Sequence, residues 1–457
     1  MQKDIDNDRH ILGLFQLEGN DYHGEIIYNR ENGHILLSIQ YPTKTGMERP
    51  LGVIPHITGK LNTGAAVTLY HNMCIRNHTN LFSNQHFVFR SEFFILGEQQ
   101  EMYNRLTCVL ENGLNWSGLS ALDLSEYSTV KLKPYDPPEY HWFGSNIRFY
   151  TELTNGLFAF PRSEECRVVE RLVLEIDSEE KQTVPSLMQL RDKVMSLISF
   201  AIKDNINIEE QFLTDFDDYE EFGESKHYNR RSFISFEPYS YPVNTHINDY
   251  NFSRAQLSNS EDIQEALTKL EPVFKLYQSL FKYPGMPVEM FFLNIVQALE
   301  TYHSRFFYNN KKKEYVESVN QRFGTYQDFD HISSLLLNET QMDPNCNYII
   351  LVSRLNDLLI GEFNGLFWEF YMEDTTYAQR IADTRHYYTH YGKSKEAIAF
   401  RGDDLHDAIY ILRLLLEYYI CRSLKIDIEE KTRQALGRYF INKVLAEGSE
   451  NVPLPLS

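Results

Sequence analysis

The sequence predicts an α+β fold, a β-rich N-terminal region followed by an all-α helical bundle. Three observations carry this prediction. Up to about residue 122, short runs alternate apolar and polar residues and break at Asn-Gly and Thr-Gly pairs. After about residue 256 the apolar period changes to three and four. Between them, Pro238 to Gln256 is rich in turn formers, and the domain boundary is placed there, giving residues 1–255 and 256–457. A further division of the first region near residue 140 is left open.

The elements follow in order. Ile26-Ile27-Tyr28, His34 to Ile39, Ala66 to Tyr70 and His86 to Arg90 carry the β-branched and aromatic residues of strands. Asn32-Gly33, Thr45-Gly46 and Thr63-Gly64 separate them, Asn32-Gly33 being a hairpin signal. Val168 to Ile176 reads as a strand. Val184 to Ile202 reads as a helix, because Leu187, Leu190, Val194, Leu197 and Ile198 recur at helical spacing. The acidic segment Glu209 to Glu224 is expected as a solvated loop or strand pair.

Beyond the boundary, Ser258-Asn259-Ser260 with Glu261 and Asp262 marks a helix start, and that helix runs to about Phe281 through Pro272. Further helices are expected over Pro287 to Tyr308, Phe329 to Leu337, Cys346 to Gly361 and Phe363 to His390, the last with a break near Glu373. Leu405, Ala408, Ile409, Leu412, Leu415, Leu416 and Tyr419 form the stripe of the next, which starts after Asp403. A final helix spans Asp427 to about Leu445. Lys311-Lys312-Lys313 is expected as a solvated turn.

Composition narrows the function. The 457 residues, 42% of them apolar, suffice for two or three domains with buried cores. With 44 basic and 64 acidic residues the net charge is −20, which disfavours non-specific coating of nucleic acid. Any nucleic-acid site must then be a local basic pocket. No run approaches the roughly 18 apolar residues of a membrane span, and no leader follows Met1, so a cytoplasmic protein without membrane partners is expected. The five cysteines are scattered and do not form a disulfide framework. His71-x2-Cys74-x3-His78 has metal-like spacing but lacks a fourth ligand. Gly-x-Ser-x-Gly, phosphate-loop and Gly-x-Gly-x-x-Gly motifs are absent, which leaves acyl hydrolase, NTPase and dinucleotide chemistry without support. No cofactor or metal is expected.

One stretch does carry chemistry: Arg380 to Gly392, with Arg385 and His390 separated by four residues. A guanidinium can hold a phosphate with a planar fork of donors, and an imidazole can move a proton near neutral pH. Ala378, Ile381, Ala382 and Arg385 share one helical stripe, so Arg385 needs a carboxylate or an anionic ligand. His390 falls about 140° further round an ideal helix, so the two side chains do not converge on it. Gly392 suggests that the helix ends here and that His390 sits in its last turn or the following loop. The plain alternative is an Arg385 ion pair with His390 capping the helix end. Lys393, Lys395 and Arg401, just beyond, are the cations best placed to guide RNA.

The phrase Arg385-His386-Tyr387-Tyr388-Thr389-His390-Tyr391-Gly392 resembles the Arg-x4-6-His signature of HEPN ribonuclease domains. Asparagine often follows that arginine in the family; here the residue is His386. Leu299-Glu300-Thr301-Tyr302-His303 and the two-part layout resemble the ApeA-type branch. The resemblance implies a metal-independent endoribonuclease of anti-phage defence that halts translation, with Arg385 and His390 catalytic and His386 and Glu300 supporting. It also implies that the Glu300 helix packs near the Arg385 helix. The expected substrates are structured RNAs with exposed loops, such as tRNA, since in-line attack by a 2′-hydroxyl needs a flexible backbone. A homodimer or higher homo-oligomer is expected, because pairing supplies a second proton carrier, as is a phage-derived trigger. The alternative is a non-catalytic HEPN-like interaction module or a sensor of a phage protein.

Overall fold

The computed structural model describes residues 9–29, 33–42, 52–79, 84–126, 129–133, 136–156, 167–222, 225–235, 240–243, 245–283, 285–323, 342–343, 348–360 and 376–447. The fold is α+β, mostly strands in the first part and mostly helices in the second. The chain forms two compact units, Met1–Met195 with Asn205–Pro242, and Ser196–Asp204 with Val243–Ser457. Among the described residues no helix is long and apolar enough to cross a membrane.

In the first unit, β1 (Arg9–Leu17), β2 (Asn20–Asn29), β3 (His34–Pro42), β4 (Val53–Leu61), β5 (Ala66–Thr79) and β6 (Asn84–Ser91) pair antiparallel around a closed ring. The alternation seen in the sequence has a direct consequence: one face of each strand fills the ring. Phe15, Ile26, Ile35, Leu37, Ile39, Leu69, Phe87 and Phe89 are completely buried there. The ring closes where β1 meets β4, through only three residue pairs, Gly13 to Phe15 against Leu61 to Gly59. Close approach at this seam depends on glycine: a Cβ on Gly59 would lie 2.6 Å from the Phe15 ring and 2.7 Å from the Leu14 carbonyl oxygen. Thr63-Gly64 makes the β4–β5 turn, with Gly64 at φ 89°.

From β5 the sheet continues through β7 (Phe93–Leu96) and then β8 (Met102–Leu110), β11 (Glu139–Trp142), β12 (Ser145–Gly156), β13 (Arg167–Thr183), β14 (Ile208–Phe222) and β15 (Ser225–Ser235). The helical turn α1 (Leu114–Ser117) and a small β9 (Leu122–Glu126) and β10 (Thr129–Leu132) pair lie between β8 and β11. The described part of the acidic segment, Glu209 to Phe222, lies on the strand β14, which pairs antiparallel with β15. α2 (Val184–Ile202) has the bounds that its periodicity predicted; its buried Arg191 reaches Gln211 on β14 and Ser235 on β15. The metal-like spacing on β5 does not converge. His71 is exposed and pairs with Glu92, whereas Cys74 points into the barrel core; the His78 side chain lies outside the described residues.

The second unit holds α3 (Glu261–Lys282), α4 (Val288–Phe306), α5 (Tyr308–Phe323), α6 (Leu351–Ile360), α7 (Tyr377–His390), α8 (Asp403–Ser423) and α9 (Glu429–Glu447), with a two-residue pair β16 (Met342–Asp343) and β17 (Tyr348–Ile349) before α6. α4 is central and touches α3, α5, α6, α7 and α8. Two expectations are corrected. Lys311 to Lys313 lie on α5 rather than in a turn, because lysine is a good helix former and Lys311 pairs with Glu314 one turn on. The helix expected from Cys346 starts at Leu351, after β17 takes the β-branched and aromatic pair Tyr348-Ile349. The Thr45-Gly46 turn, the Phe329 to Leu337 helix and the first part of the Phe363 to His390 helix lie outside the described residues.

A buried charge cluster ties this unit together. Glu417 on α8 accepts hydrogen bonds from Lys203 Nζ and from Tyr277 Oη, both at 2.6 Å, and Arg413 lies 3.5 Å away. Burial opposes ionisation of Glu417, but Lys203 and Arg413 outweigh it and hold its pKa below the ordinary carboxylate value.

The seam generates a stability prediction. Gly59→Ala should destabilise the first unit by about 1–3 kcal/mol through overpacking against Phe15. Denaturant unfolding followed by circular dichroism checks this, and an unchanged midpoint would show that the seam relaxes freely.

Candidate active site

Three helices build the site. α7 carries the motif, and Ala378, Ile381 and Thr384 bury its inner face. Arg385, one turn beyond Ile381, is half-buried on the border of that face. It needs a counter-charge there, and α4 supplies one. Arg385 Nη2 lies 3.1 Å from Glu300 Oε2 and donates to Gln297 Oε1 at 3.3 Å. The Glu300 oxygen facing Arg385 is buried and takes no aligned hydrogen bond, so the contact is one of charge. Arg385 Nε and Nη1 donate no hydrogen bond among the described residues.

α6 holds α4 in place. Arg354 Nη1 donates to Ser304 Oγ at 2.7 Å and lies 3.5 Å from Glu300 Oε1, while its Nε donates to the Ile349 carbonyl. Gln297, Glu300 and Ser304 share a helical face, so α6 and α7 grip the same stripe. One step round, His303 is fully buried and its Nε2 lies 2.6 Å from Asp357 Oδ2 of α6.

His390 is the last residue of α7 and is exposed. Its ring centroid is 4.8 Å from that of His386, one turn earlier, so the two histidines form a patch. No contact joins His390 to Arg385 among the described residues, as the helical spacing requires. The helix ends where expected, yet by a different device. Tyr391, not Gly392, takes the left-handed conformation, at φ 51° and ψ 35°, and its N–H donates to the Tyr387 carbonyl. Gly392, at φ −70°, begins a short 3-10 turn over Lys393–Lys395.

The three flanking cations differ. Lys393 is exposed and makes no ion pair among the described residues. Lys395 lies 2.7 Å from buried Asp383. Arg401 lies 3.1 Å from Glu396, with its guanidinium 5.0 Å from the Tyr387 ring centroid. Sequence reasoning missed Gln297, Arg354 and Asp357. The i, i+3 spacing of Gln297 and Glu300 was a usable signal, but nothing local marks Arg354 or Asp357, which lie on a separate helix. Among the described residues no group of three or more His, Cys, Asp or Glu is placed to hold a metal ion.

A β-rich unit ahead of a helical unit with an Arg-x4-His helix end matches the layout expected of a HEPN-type protein. The family models agree: ApeA N-terminal domain 1 matches residues 10–269, and Apea-like HEPN matches residues 293–430. The chain belongs to the ApeA-like HEPN family. Nothing matches it among curated proteins or among solved structures. Membership implies an anti-phage function of the HEPN type, a class that is typically ribonucleolytic.

The helix end yields a prediction of its own. A left-handed conformation costs an L-residue about 1–2 kcal/mol, more for a β-branched one. Tyr391 already bears that cost, so Tyr391→Val should lower unfolding stability only by the β-branched excess, roughly 1 kcal/mol or less, whereas Tyr391→Gly should not lower it. Urea denaturation of the three proteins side by side checks the order.

Proposed function

We propose that the chain is a metal-independent endoribonuclease with Arg385 and His390 as its catalytic residues. The observation that carries this reading is the posture of Arg385. One terminal nitrogen is held by Glu300 and Gln297, while the other and Nε are left to receive a phosphate as a two-pronged fork. The 2′-hydroxyl attacks the adjacent phosphorus, a histidine takes its proton, and the P–O5′ bond breaks as the leaving oxygen is protonated. The products are a 2′,3′-cyclic phosphate and a 5′-hydroxyl. Arg385 stabilises the phosphorane charge. Glu300 and Gln297 fix the guanidinium plane, and His386 positions its neighbour His390. Lys393 is the cation best placed to attract the backbone.

No contact joins His390 to Arg385 within one chain among the described residues, which favours a composite site. Two-fold pairing of helical units would bring the arginine of one chain to the histidine of its partner and supply two proton carriers. The substrates proposed are structured RNAs with open loops, tRNA among them. Cleavage would halt translation after a phage-derived trigger, in the cytoplasm.

Three outcomes are expected. Purified protein incubated with total tRNA should cleave it in the presence of EDTA; complete loss of cleavage, restored by magnesium, would sink the mechanism. Arg385→Ala and His390→Ala should each lower cleavage at least a hundredfold with the fold intact by circular dichroism, and Arg385→Lys should also be severely impaired. Mixing Arg385→Ala with His390→Ala protein after subunit exchange should restore part of the activity. A strictly monomeric protein that cleaves at full rate would overturn the composite site.

A further inference from the structure

Three tyrosines cluster where α7 ends. Tyr388 is anchored inward: its hydroxyl donates to the Phe400 carbonyl at 2.9 Å, and its ring meets Phe292 edge-on. The Tyr387 ring lies 5.1 Å from that of Tyr388, and the Arg401 guanidinium covers it. Tyr391 packs edge-on against both, with centroids 5.6 and 6.4 Å away. Yet Tyr391 is 67% exposed, so these contacts leave most of its ring in water. It also occupies a left-handed position although a glycine follows directly. Packing and helix capping alone explain neither fact, since glycine at 391 would cap better and an aliphatic side chain would cover Tyr387. What the arrangement provides is a largely exposed aromatic ring, held edge-on by two neighbouring rings and next in sequence to His390.

We propose that Tyr391, supported by Tyr387 and Tyr388, is a stacking platform for an unpaired nucleobase of the RNA bound at the Arg385 and His390 site. The inference rests on the ribonuclease reading and adds what that reading lacks, a group that contacts a base. On an ideal helix wheel, the histidine patch lies between Arg385 and Tyr387. In the composite site, Tyr391 would lie beside the histidines of its own chain, and a base stacked on it would adjoin the phosphate held by Arg385 of the other chain. Only a base splayed out of a helix offers its full face, so the platform selects single-stranded segments. Stacking tolerates any base, so selection acts on strandedness more than on sequence.

The probe is a short single-stranded oligoribonucleotide containing 2-aminopurine, with the same strand in duplex form for comparison. Binding is read from fluorescence quenching with His390→Ala protein, and cleavage with His390 intact. Tyr391→Gly, which suits the backbone, should abolish quenching, raise KM for the single strand about five- to hundredfold and leave kcat within about twofold. Tyr391→Trp should retain quenching and low KM, which a purely structural role would not require. Unchanged KM and quenching in Tyr391→Gly would overturn the platform while leaving the ribonuclease reading standing. A fall to half the mass in light scattering, with kcat lost, would overturn it in favour of a contact between subunits. If the wild type quenches the single strand but cleaves no RNA, the platform stands and the ribonuclease reading falls.

Discussion

One carboxylate organises the part of the helical unit that carries Arg385. Glu300 sits between two guanidiniums on different helices, Arg385 at 3.1 Å and Arg354 at 3.5 Å. A carboxylate largely withdrawn from water is costly unless cations surround it, and each cation needs the carboxylate in return. The three charges therefore fix the relative register of α4, α6 and α7. His303 with Asp357 adds a second tie between α4 and α6 on the neighbouring stripe. The aim of Arg385 is thus set by α4, not by the helix that carries the motif. The ion pair is monodentate and imperfectly aligned, so it orients the guanidinium without saturating it.

Much of this was legible in the sequence, for identifiable reasons. Strand alternation in β2, β3, β5 and β6 survives because one face of each fills a closed barrel. α2 could be read to its ends because its apolar residues recur without interruption. The Arg385 stripe forecast a buried partner, and Glu300 is that partner. What was illegible depends on tertiary position. A lysine triplet looks like a turn only if solvation is weighed above helix propensity, and α5 shows the opposite outcome. Gly392 advertised a left-handed cap that Tyr391 adopts one residue earlier, because local signals place a helix end better than they assign its dihedrals. Arg354 had no signal at all, since its role exists only once α6 lies against α4.

Electrostatics at the site are local and largely compensated. In a chain of net charge −20, Lys395 and Arg401 already have carboxylate partners, Asp383 and Glu396. The exposed Arg401–Glu396 pair is worth little, so a phosphate would replace Glu396 at small cost, whereas drawing Lys395 away would leave the buried Asp383 carboxylate uncompensated. Lys393 alone of the three is uncompensated among the described residues. The surface near the motif therefore pairs two of its three cations rather than presenting a strong positive field, which disfavours indiscriminate attraction of nucleic acid.

The three-pair seam of the barrel has a bearing beyond packing. Every other junction of the ring is a longer ladder, so β1 against β4 is its least-secured joint. Parting there would bare two strand edges at once, and bare edges recruit strands from other chains. Gly13 and Gly59, by letting the backbones close over Phe15, keep those edges out of circulation. The glycines thus act as a clasp against aggregation in the unit that does not carry the Arg385 to His390 stretch.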